Sequence, residues 1–582
     1  MHVGSTRLFF GPIVLATIAA CQTAPLPAAP ANTTTPTPVA PAAGTTPAAA
    51  VSSAPAAQPT PVAPLPTGEQ VTLGPINDQA VLVDQVGYLP EHRKMGVVAS
   101  ANAVSFQVVD VHTSRGVYAA ALSDRTRDPD TGQTLQRADF SSLKTPGTYS
   151  VVVPGVGRSP EFRIRDDVYR QLSSDALTSY EQLAVLAPAA WNTATAKDRK
   201  SGQVIDITGG WPDAGDYGRY MPSAATSMGT MLLLDNVPQQ HATRDELQVL
   251  RRELDWMLKM QRADGAVYHK VTPLNFGGFD SGSDNIGGQL YLFDVSTPDA
   301  AVLAAVMAEA ARVYRPLDAA YADRMLAAAE KSWAWLQDNP KPILPAETEG
   351  TGAYVYGRDG SHRFWAAAEL FRTTGEPAYA DYVRTYLQQH APSIEPLGWG
   401  NPETYGLLAV AFNDAADATL RRQIVQLLTR WADGMATTVT SPADPWATSI
   451  SSFHWASNKT SLDNAVLLLI ANLVAPKPDY VEAALHQLHY VLGRNALAKS
   501  FVTGYGSNSV RNPHNRTMFA LGRVIPGVLV GGPNSDGQDG VTPTSQGQRS
   551  YADQLQAYAS NENSVEYNAP LVFVTALFAS TT

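Results

Sequence analysis

Short apolar runs alternate with turn residues over residues 80–166. Gly, Pro, Asn and Asp interrupt the runs at close intervals, which is typical of short antiparallel strands joined by tight turns. The pattern therefore predicts a small all-β sandwich over residues 80–166. The runs are VLVDQVGY, KMGVVAS, SFQVVDV, GVYAAAL, GTYSVVV and EFRIR.

A different pattern begins at residue 167 and continues to residue 582. Apolar residues recur every three or four positions, and Gly or Pro ends many of the segments, as in amphipathic helices. Roughly a dozen such helices with few strands predict a mainly α domain, a toroid or solenoid whose loops build a cleft on one face. The clearest segments are Tyr169–Ala187, Ala225–Leu234, Arg244–Gln261, Ala300–Tyr314, Ala319–Asp338, His362–Thr374, Tyr379–His390, Ala416–Thr438, Leu462–Val474 and Pro478–Leu492.

The N-terminus has the layout of an export signal. Arg7 precedes an apolar run from Leu8 to Ala20, which is too short to span a membrane, and Cys21 follows the run. The residues before Cys21, Ile-Ala-Ala, resemble a bacterial lipobox. Residues 1–21 are therefore predicted to be a lipoprotein signal peptide with Cys21 as the lipidated residue. An ordinary signal peptide with an incidental cysteine is the alternative.

A tract dominated by Ala, Pro, Thr, Ser and Val follows over residues 22–75. Such a tract cannot bury a core, and it predicts a disordered tether. Signal and tether together predict an exported protein that is lipid-anchored at the bacterial cell envelope and meets the membrane only through that anchor. Gln22, rather than an aspartate, follows the cysteine, which favours the outer membrane or cell surface in a Gram-negative host.

Length, charge and cysteine content narrow the class of protein. The 582 residues are too many for one ordinary core, so two or more domains are expected. The net charge is −11, from 53 acidic and 42 basic residues, which argues against nucleic acid as a partner. The single cysteine excludes an intramolecular disulfide and a multi-cysteine zinc site.

The stretch richest in chemical groups is IDITGGWPDAGDYGRY, Ile205–Tyr220. Asp213 and Asp216 are three residues apart, a spacing that brings both carboxylates to one side of a turn. Trp211 and Tyr217 are candidate platforms for stacking against sugars. Paired acids beside aromatic rings favour glycoside hydrolysis, in which one carboxylate activates water. An acidic turn that caps a helix is the simpler alternative.

A second group of polar residues lies near the C-terminus. Glu562 precedes the apolar run LVFVTALFA, so it is predicted to lie at the mouth of a buried element. Loops rich in Gly, Pro and Asn carry His514 and Arg516, whose directed donors suit sugar hydroxyls. A solvated surface acid and polar groups that only stabilise loops are the alternatives.

Taken in order, these motifs resemble glycoside hydrolase family 9 with an N-terminal immunoglobulin-like domain. The resemblance covers residues 80–580 and implies an (α/α)6 barrel over residues 167–582 after an immunoglobulin-like sandwich over 80–166. It also implies an inverting glycosidase, since most members are inverting β-1,4-glucanases. The matching motifs are QVGYLP, GGWPDAGDYGRY, WMLKMQ, FWAAAEL, WASN, LGRN, PHNR, PGVLVGGPN and NEN with YNAP.

The same resemblance implies roles for individual residues. Glu562 would be the general acid, Asp216 the general base, and Asp213 its partner in holding the attacking water. The implied sugar contacts are His514, Arg516 and Tyr567 nearest the cleavage point, and His269 elsewhere in the cleft.

The chain also departs from the family pattern. Ser361, His362 and Arg363 stand where the family commonly carries the Asp-Glu pair of a calcium site, and the zinc ligands of some relatives are absent. We therefore expect no metal and no cofactor. Asn515 stands where the family usually has a second histidine, so sugar contacts there are expected to differ.

Three functions are compatible with these residues. The first is a β-1,4-glucanase acting on cellulose-type glucans or cellodextrins, with endo action favoured. The second is another glycosidase on the same scaffold, either an exo-acting glucosidase or glucosaminidase or a mixed-linkage or xyloglucan hydrolase. The third is a non-catalytic glycan-binding lipoprotein, and the presence of all three carboxylates argues against it. Sequence alone does not set the oligomeric state.

Overall fold

The computed structural model describes residues 67–192, 194–238, 244–276, 278–279, 288–346 and 350–579. The predicted signal peptide, Cys21 and the tether up to residue 66 lie outside the described residues. Residues 67–75 were predicted as tether, but Gly68 N–H donates to Gly116 O and Val71 N–H to Ser114 O, both at 2.8 Å. This segment belongs to the folded body because its backbone pairs with a sheet edge. No described helix is long and apolar enough to cross a membrane.

The region after residue 80 is a two-sheet sandwich. One sheet has the order β1-β3-β7-β6, and the other has β2-β10-β8-β4-β5 with β9 beside β8. Alternate side chains face inward, and the Tyr88 ring packs edge-on against Phe140 and Phe162 at 5.2 and 5.3 Å. The strands are β1 (Val81–Leu82), β2 (Gly87–Tyr88), β3 (Met95–Ala99), β4 (Ser105–Asp110), β5 (Arg115–Ala121), β6 (Thr126–Arg127), β7 (Thr134–Asp139), β8 (Gly147–Val153), β9 (Gly157–Arg158) and β10 (Phe162–Ile164).

The rest of the described chain is mainly helical. The helices are α1 (Arg170–Val185), α2 (Ala189–Asn192), α3 (Met221–Leu232), α4 (Arg244–Lys259), α5 (Thr297–Tyr314), α6 (Ala319–Asp338), α7 (Gly360–Thr374), α8 (Pro377–Gln389), α9 (Glu403–Ala411), α10 (Ala418–Thr440), α11 (Ser457–Val474), α12 (Pro478–Val491), α13 (Arg516–Leu521), α14 (Tyr558–Asn561) and α15 (Val565–Ala579).

Twelve of these helices form two concentric rings within the described chain. The inner ring is α3, α5, α7, α9, α11 and α15, and each packs against an outer partner from α4, α6, α8, α10, α12 and α1. All 12 residues of α3 and 17 of the 18 in α5 are buried, against 5 of the 23 in α10. The predicted (α/α)6 barrel is confirmed.

Helix α9 was not predicted from the sequence. Its run ETYGLLAVA is buried on every side, so it lacks the polar stripe that marks an amphipathic helix. A small sheet on the barrel rim also escaped prediction, because its strands have only two to four residues. Its order is β12-β11-β15-β14-β13, with β11 (Thr195–Asp198), β12 (Val204–Asp206), β13 (Arg219–Tyr220), β14 (Lys270–Thr272) and β15 (Tyr291–Leu292).

The sandwich packs directly on the barrel. Leu82, Val97 and Leu135 of the sandwich form one buried apolar cluster with Trp446 and Ala498 of the barrel. Polar groups also cross this interface.

Gln85 is the main polar group in that contact. Its Nε2 donates to Ala498 O at 2.7 Å, and its Oε1 accepts from Asn508 N–H at 2.9 Å. These two bonds fix the sandwich to the barrel.

Candidate active site

One cleft of about 500 Å³ opens among the loops at one end of the inner helices. Four carboxyl groups, an arginine, a histidine and several aromatic rings share its walls, a combination suited to binding sugar rings and moving protons between them and water. The lining side chains used below are Asp213, Asp216, Glu562, Glu566, His514, Arg516, Tyr220, Tyr354, Phe276, Trp399, Trp455, Tyr558 and Tyr567.

The two aspartates lie on a tight loop before β13. Asp213 N–H donates to Gly218 O at 2.9 Å, which closes the loop on itself. Gly215 lies at its centre, and a Cβ there would be 2.2 Å from His514 O. Only glycine therefore allows this loop to approach the loop that carries His514.

Glu562 reaches the same point from the other end of the barrel chain. Gly215 N–H donates to Glu562 Oε1 at 3.0 Å, and Gly531 N–H donates to the Glu562 carbonyl at 2.8 Å. Burial, followed by the charge of Asp216, raises the pKa of Glu562 well above its ordinary value. This setting favours the protonated carboxyl group, which can donate a proton.

Asp216 lies in a different setting from Glu562. Gly218 N–H donates to Asp216 Oδ1, and this bond favours the ionised carboxylate. Burial, together with the neighbouring Asp213 charge, raises the pKa of Asp216 to about 7. Asp216 can therefore be ionised near neutral pH and then accept a proton.

Asp213 is the most deeply buried of the three predicted acids, with only 2% of its surface exposed. Burial raises its pKa, while the Tyr354 hydroxyl donates to Oδ2 at 2.6 Å and the Ser564 hydroxyl to Oδ1 at 3.2 Å. Both hydrogen bonds favour the ionised form and fix the direction in which the carboxylate points.

Tyr354 is held on a strained loop. Its φ of 47° lies in the left-handed region, which bulky residues rarely adopt. His269 Nε2 bonds to the neighbouring Ala353 O at 2.9 Å, and Lys270 Nζ donates to Thr351 Oγ1 at 2.9 Å. These contacts from the barrel hold the loop in place while the phenol reaches Asp213.

The expected sugar contact from His269 is corrected by the structure. The residue is 1% exposed and does not line the cleft. Its Nδ1 bonds to Asp299 Oδ2 at 2.8 Å, and its Nε2 is occupied by Ala353 O. With both ring nitrogens used inside the protein, His269 supports the Tyr354 loop instead of binding sugar.

The two predicted aromatic platforms are also in the core rather than in the cleft. Trp211 is 1% exposed and packs against Tyr180 with ring centroids 4.3 Å apart. Tyr217 is buried in the same hydrophobic core. The turn before Trp211 sets this direction, because Gly209 and Gly210 have φ of 94° and 75° and lie against Trp256.

The structure brings His514 and Arg516 into the cleft. His514 Nδ1 lies 2.6 Å from Leu555 O, and its Nε2 is 4.0 Å from Glu562 Oε1. Burial lowers the pKa of His514 to about 4, so the ring is neutral and Nε2 can accept a hydrogen bond. Arg516 Nη1 donates to Gly215 O at 3.1 Å, and its guanidinium lies 4.6 Å from the Phe279 ring centroid.

Tyr567 and several unpredicted aromatics complete the wall. Trp455 Nε1 donates to the Tyr567 hydroxyl at 2.6 Å, and Trp455 is 40% exposed. Trp399 and Tyr354 lie in loop stretches that have no regular pattern of apolar residues, so periodicity could not have indicated them. Trp455 belongs to the WASN motif, and this was the available signal for it.

Comparison with known proteins identifies the class of this site. Residues 169–575 match the model of glycosyl hydrolase family 9, and residues 77–158 match the cellulase N-terminal ig-like domain. The chain belongs to glycosyl hydrolase family 9 and is a glycoside hydrolase, so the resemblance seen in its motifs is confirmed.

Individual relatives span nearly the whole folded chain. Endoglucanase D of Acetivibrio thermocellus is 31% identical over 541 residues, 86% of this chain and 84% of the relative. A xyloglucan-specific endo-β-1,4-glucanase of Bacteroides ovatus is 31% identical over 560 residues, 85% of this chain and 93% of the relative. A solved metagenome-derived family 9 endoglucanase is 36% identical with a TM-score of 0.80, covering 86% and 99% of the two chains.

The Tyr354–Asp213 hydrogen bond leads to a first prediction. Tyr354→Phe removes a donor from a buried carboxylate, and hydrogen bonds to charged groups contribute roughly 1.5–3 kcal/mol, so kcat should fall about 10-fold or more. The pKa of Asp213 should rise, and the acidic limb of the pH–rate profile should move to higher pH.

Tyr386→Phe is the matched control, because Tyr386 donates to Glu403 Oε1 at 2.7 Å away from the cleft. Its kinetics should equal those of the native enzyme. Steady-state rates between pH 4 and pH 9 measure both effects. Equal profiles for Tyr354→Phe and the native enzyme would contradict the positioning role.

Proposed function

We propose that this protein is an inverting endo-β-1,4-glucanase in which Glu562 is the general acid and Asp216 the general base. The observation that carries the proposal is the single cleft in which both carboxyl groups meet, each in an environment that suits its task. Burial raises the pKa of Glu562 and favours its protonated form, while the Gly218 N–H favours ionised Asp216. The reaction requires one carboxyl group that donates a proton and one that accepts it.

In the proposed reaction, Glu562 donates its proton to the oxygen of the glycosidic bond as that bond breaks. Asp216 takes one proton from a water molecule that attacks the sugar from the opposite face. Asp213 accepts a hydrogen bond from the second O–H of that water, which stays on the product as its new hydroxyl. Activity should therefore fall as the pH drops below the Asp216 pKa of about 7, and fall again once the pH exceeds the raised pKa of Glu562.

Both the cleft and the relatives support a β-1,4-glucan as the substrate. The exposed Trp455 ring and the half-buried Trp399 ring offer flat faces to the apolar sides of glucose units. The relatives named above include two proteins described as endoglucanases, which favours unbranched β-1,4-glucan and endo action. A xyloglucan backbone is the second candidate, because one relative of equal identity is specific for it.

The stereochemistry of the product tests the proposed roles. Proton NMR of the first sugar released from a β-glucan should show the α-anomer, because water attacks directly without a covalent intermediate. Asp216→Asn should slow all substrates alike. Glu562→Gln should slow natural glucans far more than aryl glycosides, whose leaving groups need little protonation. An initial β-anomer would rule out these roles for Asp216 and Glu562.

We also propose that the enzyme needs no calcium. Calcium takes six to eight oxygen ligands. The Arg363 guanidinium already holds the oxygens at the place expected for such an ion, with Nε donating to Asp359 Oδ2 at 2.8 Å and Nη1 to Leu336 O at 2.9 Å. A second cation there would be repelled, so the residues do not fit the ion.

A chelation experiment tests whether the folded enzyme depends on calcium. The melting temperature should be the same with and without EDTA, because Arg363 already neutralises Asp359. A fall in melting temperature that added calcium reverses would show that other oxygens bind the ion.

For the N-terminus, we propose export and lipid attachment at Cys21, with the envelope as the site of action. The support is the lipobox-like Ile18–Cys21 run and the Ala/Pro/Thr-rich tract that follows it. Labelling cells with a palmitate analogue should mark the native protein and leave Cys21→Ala unmarked. Equal labelling of both proteins would contradict the anchor.

A further inference from the structure

A fourth carboxyl group, that of Glu566, lines the cleft without a role in the reaction above. Glu566 lies in the first turn of α15, four residues after Glu562, and is 6% exposed. Its Oε2 is buried, and neither carboxyl oxygen has a hydrogen-bond partner among the described residues. It shares the wall with Trp399 and Trp455.

Several other buried acids of the barrel have hydrogen-bond partners. Glu403, in the first turn of α9 and 7% exposed, accepts from the Tyr386 hydroxyl at 2.7 Å and from Ser393 N–H at 3.2 Å. Asp463 accepts from Lys459 Nζ at 2.6 Å. A buried carboxyl with no hydrogen-bond partner is costly to the folded protein, so Glu566, which lines the cleft, calls for an external partner.

A purely structural role does not account for Glu566. An acid in the first helical turn is favoured by the helix dipole, yet an exposed side chain would serve equally well. The side chain of Glu566 bonds to no described backbone N–H group, so it does not cap the helix. Lys459, the cation whose charge acts on Glu566, is already bonded to Asp463 and to Leu397 O.

We propose that Glu566 is a substrate-binding residue whose carboxyl group hydrogen-bonds to the hydroxyl groups of a sugar ring held against Trp399 and Trp455. The inference rests on the proposed function and adds a specificity contact to the same cleft. Oε1 is not among the buried atoms, and it can bond to a hydroxyl of a pyranose, which can donate or accept. The sugar would then supply a partner that the protein does not.

Burial and neighbouring charges set the protonation of the Glu566 carboxyl group. Burial raises the pKa of Glu566 to about 7, and the facing groups are Asp213 on its loop and Lys459 and Asp463 on α11. Near neutral pH the carboxyl can therefore donate one hydrogen bond and accept another. A glutamine offers the same pair of groups in the same shape.

The test compares two substitutions on cello-oligosaccharides. Glu566→Leu should raise KM about 10-fold or more with kcat changed far less, because it removes a polar contact to the bound sugar. Glu566→Gln should keep KM within about 3-fold of the native value, because it preserves a donor and an acceptor. Calorimetric binding of cellotetraose to Asp216→Asn, with and without Glu566→Leu, should show the same loss of affinity in the absence of turnover.

Thermal stability separates this role from a structural one. Glu566→Leu should melt at the native temperature or higher, because a buried unpartnered group is removed. Glu403→Leu is the matched control. Its melting temperature should fall with KM unchanged, because the Tyr386 hydroxyl and Ser393 N–H lose their acceptor.

Unchanged KM and cellotetraose affinity in Glu566→Leu would overturn the inference, and so would a lowered melting temperature or failure to fold. These outcomes leave the proposed function intact if the native enzyme cleaves β-1,4-glucans. A native enzyme that neither binds nor cleaves them would overturn both proposals.

Discussion

The active cleft depends on contacts between two segments far apart in sequence. Gly215 N–H bonds to the Glu562 carboxylate across 347 positions, and Val565 N–H donates to the Asp213 carbonyl at 2.7 Å. These bonds form where the last inner helix, α15, packs between α1, α3 and α11 and closes the ring. Closure of the barrel therefore also brings Glu562 and Asp216 together, because neither segment carries both groups.

The same closure buries the carboxyl groups, and burial sets their chemistry. The pKa values of Asp216, Glu562 and Glu566 are all raised, with burial as the largest cause. In each case the folded state binds the proton more tightly than the unfolded chain does. These groups therefore cost stability as the pH rises from their unfolded values toward their folded ones. Burial of the cleft carboxyl groups thus lowers stability as the pH rises and favours their protonated forms.

Buried hydrogen bonds behind the cleft hold the loop that carries Tyr354. His269 and Asp299 hold Ala353, and Ala353 precedes the strained Tyr354 whose hydroxyl orients Asp213. Strain in one loop residue is tolerated because buried polar groups hold its neighbours. The sandwich adds rigidity at a distance through Gln85, which bonds to the barrel loops at Ala498 and Asn508.

The sequence by itself determined the sandwich, most barrel helices and the two aspartates, because periodicity and residue spacing are local properties. It missed α9, whose run is apolar on all sides, and it could pair Glu562 with Asp216 only through family resemblance. Tertiary structure decided which aromatics line the cleft. The glycine turn before Trp211 directs its indole into the core. Trp399 lies on a loop with no regular pattern, and it lines the cleft only because the barrel closes. Side-chain direction in loops depends on distant packing, and no local pattern encodes it.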